Sequence, residues 1–156
     1  FFANSAQWLS SLHCFLHIPP MGVPLLKGQD QALDTAAVVG ISRRSKILLN
    51  IHRDELPYFE WHRMVFHGLW QNTLVVTEPC HDIPGLVAGE HFVECSLEEM
   101  AEKIKWLLKD PAGQATAERI RQAGHQAAKE QFNGVAIAAA ALAVVEPALK
   151  TTSTQK

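Results

Sequence analysis

Residues 45–70 read SKILLNIHRDELPYFEWHRMVFHGLW and join an apolar run directly to an amphipathic one. The run KILLNIH (46–52) is nearly continuously apolar, which is typical of a strand in a parallel sheet that is covered on both faces. From Tyr58 onward the spacing changes, because Trp61, Val65 and Leu69 recur at i, i+4 and i+8 and share one face of a helix. This stretch therefore predicts a buried strand followed by a helix that packs on the sheet.

The same order of strand and helix continues along the chain. Ser96 with Glu99 three residues on forms a capping box and predicts the start of a helix. Strands that alternate with helices favour right-handed βαβ crossovers. We therefore expect an α/β domain with an open parallel sheet and helices on both faces, in effect a Rossmann-like half. The further strands are expected in 13–18, 72–79 and 91–95, and the further helices in 30–42, 97–110, 112–132 and from Gly134 onward.

The composition argues against several classes of protein. The 156 residues suffice for one domain, expected over 1–150, with a frayed tail over 151–156. A net charge of −2 without a basic stripe argues against a nucleic-acid partner. The Ala-rich run 134–145 is shorter than the roughly 20 apolar residues of a membrane span. The three cysteines form no disulfide framework and favour the cytoplasm, and we expect Cys14 and Cys95 to be buried.

Polar side chains follow two of the predicted strands at the point where each apolar run ends. His52 and Arg53 come after KILLNI (46–51), and Glu78, Cys80 and His81 come after TLVVT (73–77). Ligands of open parallel sheets bind at the carboxyl ends of the strands. This edge of the sheet is therefore the expected position of a functional site.

The predicted helix from Tyr58 carries three polar residues on one face. Glu60, Arg63 and His67 fall at i, i+3 and i+7. A carboxylate can accept hydrogen bonds from sugar hydroxyls, and the planar guanidinium of an arginine can grip a phosphate with two parallel bonds. The alternative is a solvated ion pair between Glu60 and Arg63 that contributes little to stability.

Other chemistries are less well supported by the spacing. A metal site built from His52, His67, Cys80 and His81 matches no common zinc pattern. Neither a G-x-S-x-G elbow, nor a G-x-G-x-x-G loop, nor a Walker-type loop is present. We therefore expect neither a bound metal nor a dinucleotide cofactor.

Two segments resemble a known family. SKILLNIHRDELPYFEWHRMVFHGLWQNTLVVTEP (45–79) and IPGLVAGEHFVECSLEEMAEKIKWLLKDP (83–111) are similar to the C-terminal domain of group 1 glycosyltransferases with the GT-B fold. The similarity is greater to the spore-maturation and surface-polysaccharide branch. It rests on the order and spacing of the elements over about half of the chain.

The resemblance implies that the chain binds a nucleotide-sugar donor and transfers the sugar to an unknown acceptor. The acceptor site would come from an N-terminal domain that precedes this one. Glu60 and Arg63 would act on the donor sugar or phosphate as catalytic residues. His67 and Gly68 stand where many members carry a second glutamate on the sugar-binding helix. The other donor-binding positions implied are Asn50, His52, Arg53, Glu78 and the loop from Gly85 to Glu90.

A second hypothesis belongs to a different class. The chain could be a non-catalytic α/β module that binds a nucleotide or a partner protein on the same scaffold. Stabilisation by UDP or GDP sugars would support the enzyme, whereas indifference to nucleotides together with self-association would support the module.

Overall fold

The protein is described from a computed structural model, and the structure describes residues 9, 11–16, 33–52 and 63–153. Within these ranges the chain forms five helices and three strands. In chain order they are α1 (Thr35–Arg44), β1 (Ile47–Asn50), α2 (Met64–Trp70), β2 (Leu74–Thr77), β3 (Val93–Glu94), α3 (Leu97–Lys109), α4 (Pro111–Gln131) and α5 (Gly134–Ser153).

The three strands form one parallel sheet in the order β1-β2-β3. Asn50 pairs with Thr77, and Thr77 pairs with Glu94, so the last residues of all three strands lie side by side. This register confirms the predicted class, an α/β fold with an open parallel sheet. The strands are shorter than the apolar runs that predicted them, because the residues at both ends of each run belong to the connecting turns.

Both faces of the sheet are covered, as the apolar composition of β2 predicts. Successive side chains of a strand point to opposite faces. Val75 packs on one side with α2, α4 and the β2–β3 connection, while Leu74 and Val76 pack on the other side, mainly with α3. The first layer contains Val65, Leu69, Val75, Ile83, Leu86, Phe92, Ala127 and Ala128, and the second contains Leu74, Val76, Val93, Cys95, Met100, Ile104, Leu107 and Ile120.

Gly68 lets helix α2 lie directly on strand β2. A Cβ atom at this position would meet the Val75 side chain, so a larger residue fits only if Val75 or the helix shifts. Val65 and Leu69 are buried as predicted, whereas Trp61 lies outside the described residues. The predicted start of this helix at Tyr58 also lies outside them, and the described helix begins after Arg63.

The helix boundaries follow from capping side chains. The capping box of Ser96 and Glu99 at the start of α3 is confirmed. Asp110 ends α3 and begins α4, because its Oδ1 accepts hydrogen bonds from the backbone N–H groups of Ala112 and Gly113. Pro111 therefore opens α4 as its first residue, where a missing N–H group costs nothing.

Two predictions near the N-terminus are wrong, and the first described helix begins later than predicted. Within the predicted strand 13–18, the described residues His13–Leu16 do not form a strand. Cys14 is exposed, unlike Cys95, because no described element covers it. The helix predicted from Asp30 is described from Thr35, since the Asp34 side chain accepts a hydrogen bond from Ala37 N and caps the helix there.

Helix α5 stands apart from the two apolar layers. Every described side chain from 134 to 145 is exposed, including the large apolar residues Val135, Leu142 and Val144. The helix continues to Ser153 and thus enters the segment predicted as a tail. No helix within the described ranges combines the length and the apolar character that crossing a bilayer requires.

Candidate functional site

Six polar residues gather at the carboxyl edge of the sheet, and we call them the strand-end cluster. Asn50, Thr77 and Glu94 end the three strands side by side. The other three follow β1 and β2 directly. The full set is Asn50, His52, Thr77, Glu78, Cys80 and Glu94.

A buried hydrogen-bond chain connects the ends of β1 and β2. Asn50 is 2% exposed and Thr77 is fully buried. Asn50 Nδ2 donates to Thr77 Oγ1 at 3.0 Å, and the Thr77 hydroxyl donates to the backbone carbonyl of Glu78 at 2.8 Å. These bonds fix the Asn50 side chain against the neighbouring strand.

The Glu78 carboxylate bridges back to the turn after β1. His52 N donates to Glu78 Oε2 at 2.5 Å, and Glu78 N donates to the Asn50 carbonyl at 3.2 Å. A charged acceptor makes the first of these bonds stronger than a neutral one. The turn carrying His52 is therefore held next to the turn carrying Glu78, and the structure brings Asn50, His52 and Glu78 together.

Cys80 lies at the centre of the cluster. Its Sγ is 3.7 Å from His52 Nε2 and 3.4 Å from Thr77 Oγ1, and its backbone N donates to Glu94 Oε2 at 3.2 Å. Burial raises the pKa of the Cys80 thiol. The hydrogen bond with Thr77 lowers this pKa, whereas the negative charges of Glu94 and Glu78 raise it. The sulfur is consequently a protonated thiol at neutral pH and not an activated nucleophile.

His67 and Gly68 lie towards the other end of the sheet. Since β1 and β2 are parallel, α2 must return from the carboxyl edge to the amino edge, and these residues are in its last turns. His67 Nε2 is 2.8 Å from Ser42 Oγ, and burial lowers the pKa of the imidazole. These contacts tie α2 to α1 and β2, away from the strand-end cluster, and a donor-binding role for this pair stays a prediction.

The loop from Gly85 to Glu90 contacts helix α4. Gly85 has a φ of 76°, in the left-handed region that favours glycine, and a Cβ there would meet the Gln131 side chain. Arg119 Nη2 donates to the Gly89 carbonyl at 3.3 Å. Glu90 is exposed, with its Oε1 3.8 Å from His91 Nε2. No hydrogen bond among the described residues joins this loop to the strand-end cluster.

Of the two residues implied as catalytic, Glu60 and Arg63, the structure describes only Arg63. Glu60 and the neighbouring donor-binding position Arg53 lie outside the described residues. Arg63 immediately precedes α2, and its carbonyl accepts a hydrogen bond from His67 N at 3.0 Å. The predicted shared face of Glu60, Arg63 and His67 is therefore described only for the last two.

Sequence reasoning missed Thr77 and Glu94 as site residues. Thr77 ends β2 and Glu94 ends β3, and in a parallel sheet the last residues of adjacent strands lie together. VVTE and FVEC carry the signal, but the register that aligns the two strand ends depends on packing that the sequence alone does not specify. The minor hypothesis of a metal centre gains no support, because the described part of the chain contains no group of three or more His, Cys, Asp or Glu side chains placed to hold a metal ion.

The cluster is suited to binding a ligand with several hydrogen-bond donors. It offers an amide, two carboxylates and an imidazole around the end of a parallel sheet, with acceptor oxygens outnumbering cationic groups. Sugars carry such donors on every ring carbon that bears a hydroxyl group. The arrangement therefore favours a hydroxyl-rich ligand.

Comparison with known proteins identifies a family for this chain. No curated protein matches the sequence, and no solved structure matches it either. A sequence model described as glycosyl transferase-like matches residues 22–143, which include the whole sheet and the strand-end cluster. Because this match covers most of the chain, the protein belongs to the glycosyl transferase-like family.

Proposed function

We propose that this chain is the donor-binding domain of a glycosyltransferase that uses a nucleotide-diphosphate sugar. One observation carries the proposal: a cluster of hydrogen-bond acceptors sits at the carboxyl edge of a parallel sheet in a chain of this family. That edge is where α/β sheets bind their ligands. The acceptor substrate would be bound by a second domain of the same enzyme, as in a GT-B fold.

The residues divide into two sets under this proposal. The strand-end cluster, with Asn50, His52, Glu78 and Glu94, would contact the donor. Arg53, Glu60 and Arg63 would supply charge near the diphosphate and the transferred sugar, with Glu60 and Arg63 in the catalytic role. Gly85 and Glu90 would contribute from the surrounding loop. His67 and Gly68, which lie towards the opposite end of the sheet, would act only indirectly, by holding α2 on α1 and β2. A resident metal is not required, because basic side chains can neutralise the leaving diphosphate.

Ligand binding to the purified chain tests the proposal. Thermal unfolding is measured with UDP-glucose, UDP-galactose, UDP-N-acetylglucosamine and GDP-mannose, since a ligand that binds only the folded state raises Tm. We expect at least one to raise Tm, and Glu60→Gln or Arg63→Ala to weaken that effect while the Tm without ligand stays within a few degrees of the parent.

Two results would contradict the proposal. If none of the nucleotide sugars changes Tm and the chain self-associates, the non-catalytic module is the better description. If a nucleotide sugar binds both variants as tightly as the parent, the assignment of Glu60 and Arg63 is wrong while donor binding stands.

A further inference from the structure

The orientation of the Asn50 amide follows from its neighbours. Thr77 has one hydroxyl hydrogen, which it donates to the Glu78 carbonyl at 2.8 Å. Thr77 Oγ1 can therefore only accept from Asn50, so the group that faces it is the Asn50 NH2 group at 3.0 Å. The Asn50 Oδ1 atom consequently points away from Thr77.

Among the residues that the structure describes, Asn50 Oδ1 is a buried acceptor without a hydrogen-bond donor. The residue is 2% exposed, and no donor within the described ranges forms a hydrogen bond with Oδ1. Buried polar atoms of folded proteins nearly always have a partner, and an exception calls for an explanation. A donor group on a bound ligand would supply the partner.

The neighbouring carboxylates restrict the chemistry of that donor. Glu78 and Glu94 each use Oε2 for a backbone hydrogen bond, to His52 N and to Cys80 N respectively, and no described donor bonds either Oε1. Their negative charges act at the centre of the cluster, because both charges, like burial, raise the pKa of the Cys80 thiol. Phosphate oxygens would be repelled there, whereas hydroxyl groups can donate to all three acceptors.

We infer that Asn50 is a specificity-determining residue whose Oδ1 accepts a hydrogen bond from a hydroxyl group of the ligand. The strand-end cluster then receives a hydroxyl-bearing ring, and the diphosphate lies outside the cluster. The inference rests on the proposed function and adds which part of the donor enters this site. The ring is either the ribose or the transferred sugar, and both present neighbouring hydroxyl groups.

Binding measurements with analogues test the inference. The probe is whichever of UDP-glucose, UDP-galactose, UDP-N-acetylglucosamine and GDP-mannose raises Tm most, and its Kd is measured calorimetrically for the parent and for Asn50→Ser. We expect the variant to bind the intact probe at least tenfold more weakly. An analogue lacking the relevant hydroxyl should bind parent and variant alike. A 2′-deoxyribose analogue and analogues deoxygenated on the sugar distinguish the two sources.

Control variants keep the test independent of the stability of Asn50→Ser. Glu94→Ala removes an exposed acceptor of the cluster and should also weaken the intact probe, while Glu102→Ala on the exposed face of α3 should not. The Kd of inorganic pyrophosphate should differ less than twofold between the parent and Glu94→Ala.

The outcomes separate this inference from the proposed function. If no nucleotide sugar binds, the proposed function fails and the inference falls with it. If a nucleotide sugar binds the parent, Asn50→Ser and Glu94→Ala equally, only the inference is overturned. It is also overturned if pyrophosphate binds several-fold more tightly once Glu94 is removed, because the phosphates would then occupy the cluster.

Discussion

Asn50 and Thr77 occupy paired positions at the ends of two adjacent parallel strands, and the Asn50 side chain donates a 3.0 Å hydrogen bond to the Thr77 hydroxyl. Both residues are almost fully buried, in a strand environment that is otherwise apolar. The pair places polar side chains at the one edge of the sheet where a ligand is expected, and it connects the fold directly to the site.

Thr77→Val should destabilise the protein. Valine has nearly the same shape but lacks the hydroxyl, so the Asn50 NH2 group loses its buried acceptor. An unsatisfied buried donor costs about 1–3 kcal/mol. Chemical denaturation measures the loss, and Thr77→Ser, which keeps the hydroxyl, serves as the control. A Thr77→Val variant as stable as the parent, alongside a destabilised Thr77→Ser, would show that the methyl group, and not the hydrogen bond, is what matters.

Two helix glycines should respond in opposite ways to alanine. Gly68→Ala places a Cβ against Val75 Cγ2 at the packed face of α2, and overpacking of this kind costs about 1–3 kcal/mol. Gly40→Ala in α1 has room, since the nearest atom is 3.9 Å away, and should stabilise by up to about 1 kcal/mol. Urea denaturation of both variants checks this, and a stabilised Gly68→Ala would contradict the close packing of α2 on β2.

Stability should decrease in mild acid partly because of His67. Burial lowers the pKa of its imidazole, so the unfolded chain takes up the proton first as the pH falls below about 6.5. The contribution of His67 is therefore present above that pH and is lost as the pH falls through the folded-state value. We expect the fall in Tm between pH 7.5 and 5 to be smaller in His67→Gln than in the parent. Parallel Tm curves would exclude this role.

The three cysteines should differ in reactivity. Cys14 is exposed, whereas burial raises the pKa of both Cys80 and Cys95. Alkylation by iodoacetamide requires the thiolate. At pH 8 Cys14 should therefore be labelled first, and peptide mass spectrometry identifies the order. Raised folded-state pKa values also mean that the unfolded chain loses these protons first, so stability should fall as the pH rises above the ordinary thiol value of 9.0. Faster labelling of Cys80 than of Cys14 would contradict the description of Cys80 as a protonated thiol.

The sequence predicted the architecture better than the site. Apolar runs around Leu48 and Val75 and the capping box at Ser96 are local signals, and each led to the right element. The strand-end cluster depends on register, and register is set by packing between residues far apart in the chain. For this reason Glu78 was identified from its position after β2, while Glu94 was missed. His67 shares the spacing of a helix face with Arg63, but the return of α2 to the opposite end of the sheet carries it towards Ser42.

Asp110 links α3 and α4 without an intervening loop, and this limits how the chain can vary in length. Its backbone N donates to the Trp106 carbonyl in α3 while its side chain caps α4, and Gly113 lies against that same carbonyl. One inserted residue would turn α4 by about 100° relative to α3, since a helix has 3.6 residues per turn. Ile120 and Ala127 would then leave the core. Insertions and deletions should therefore be poorly tolerated at this junction.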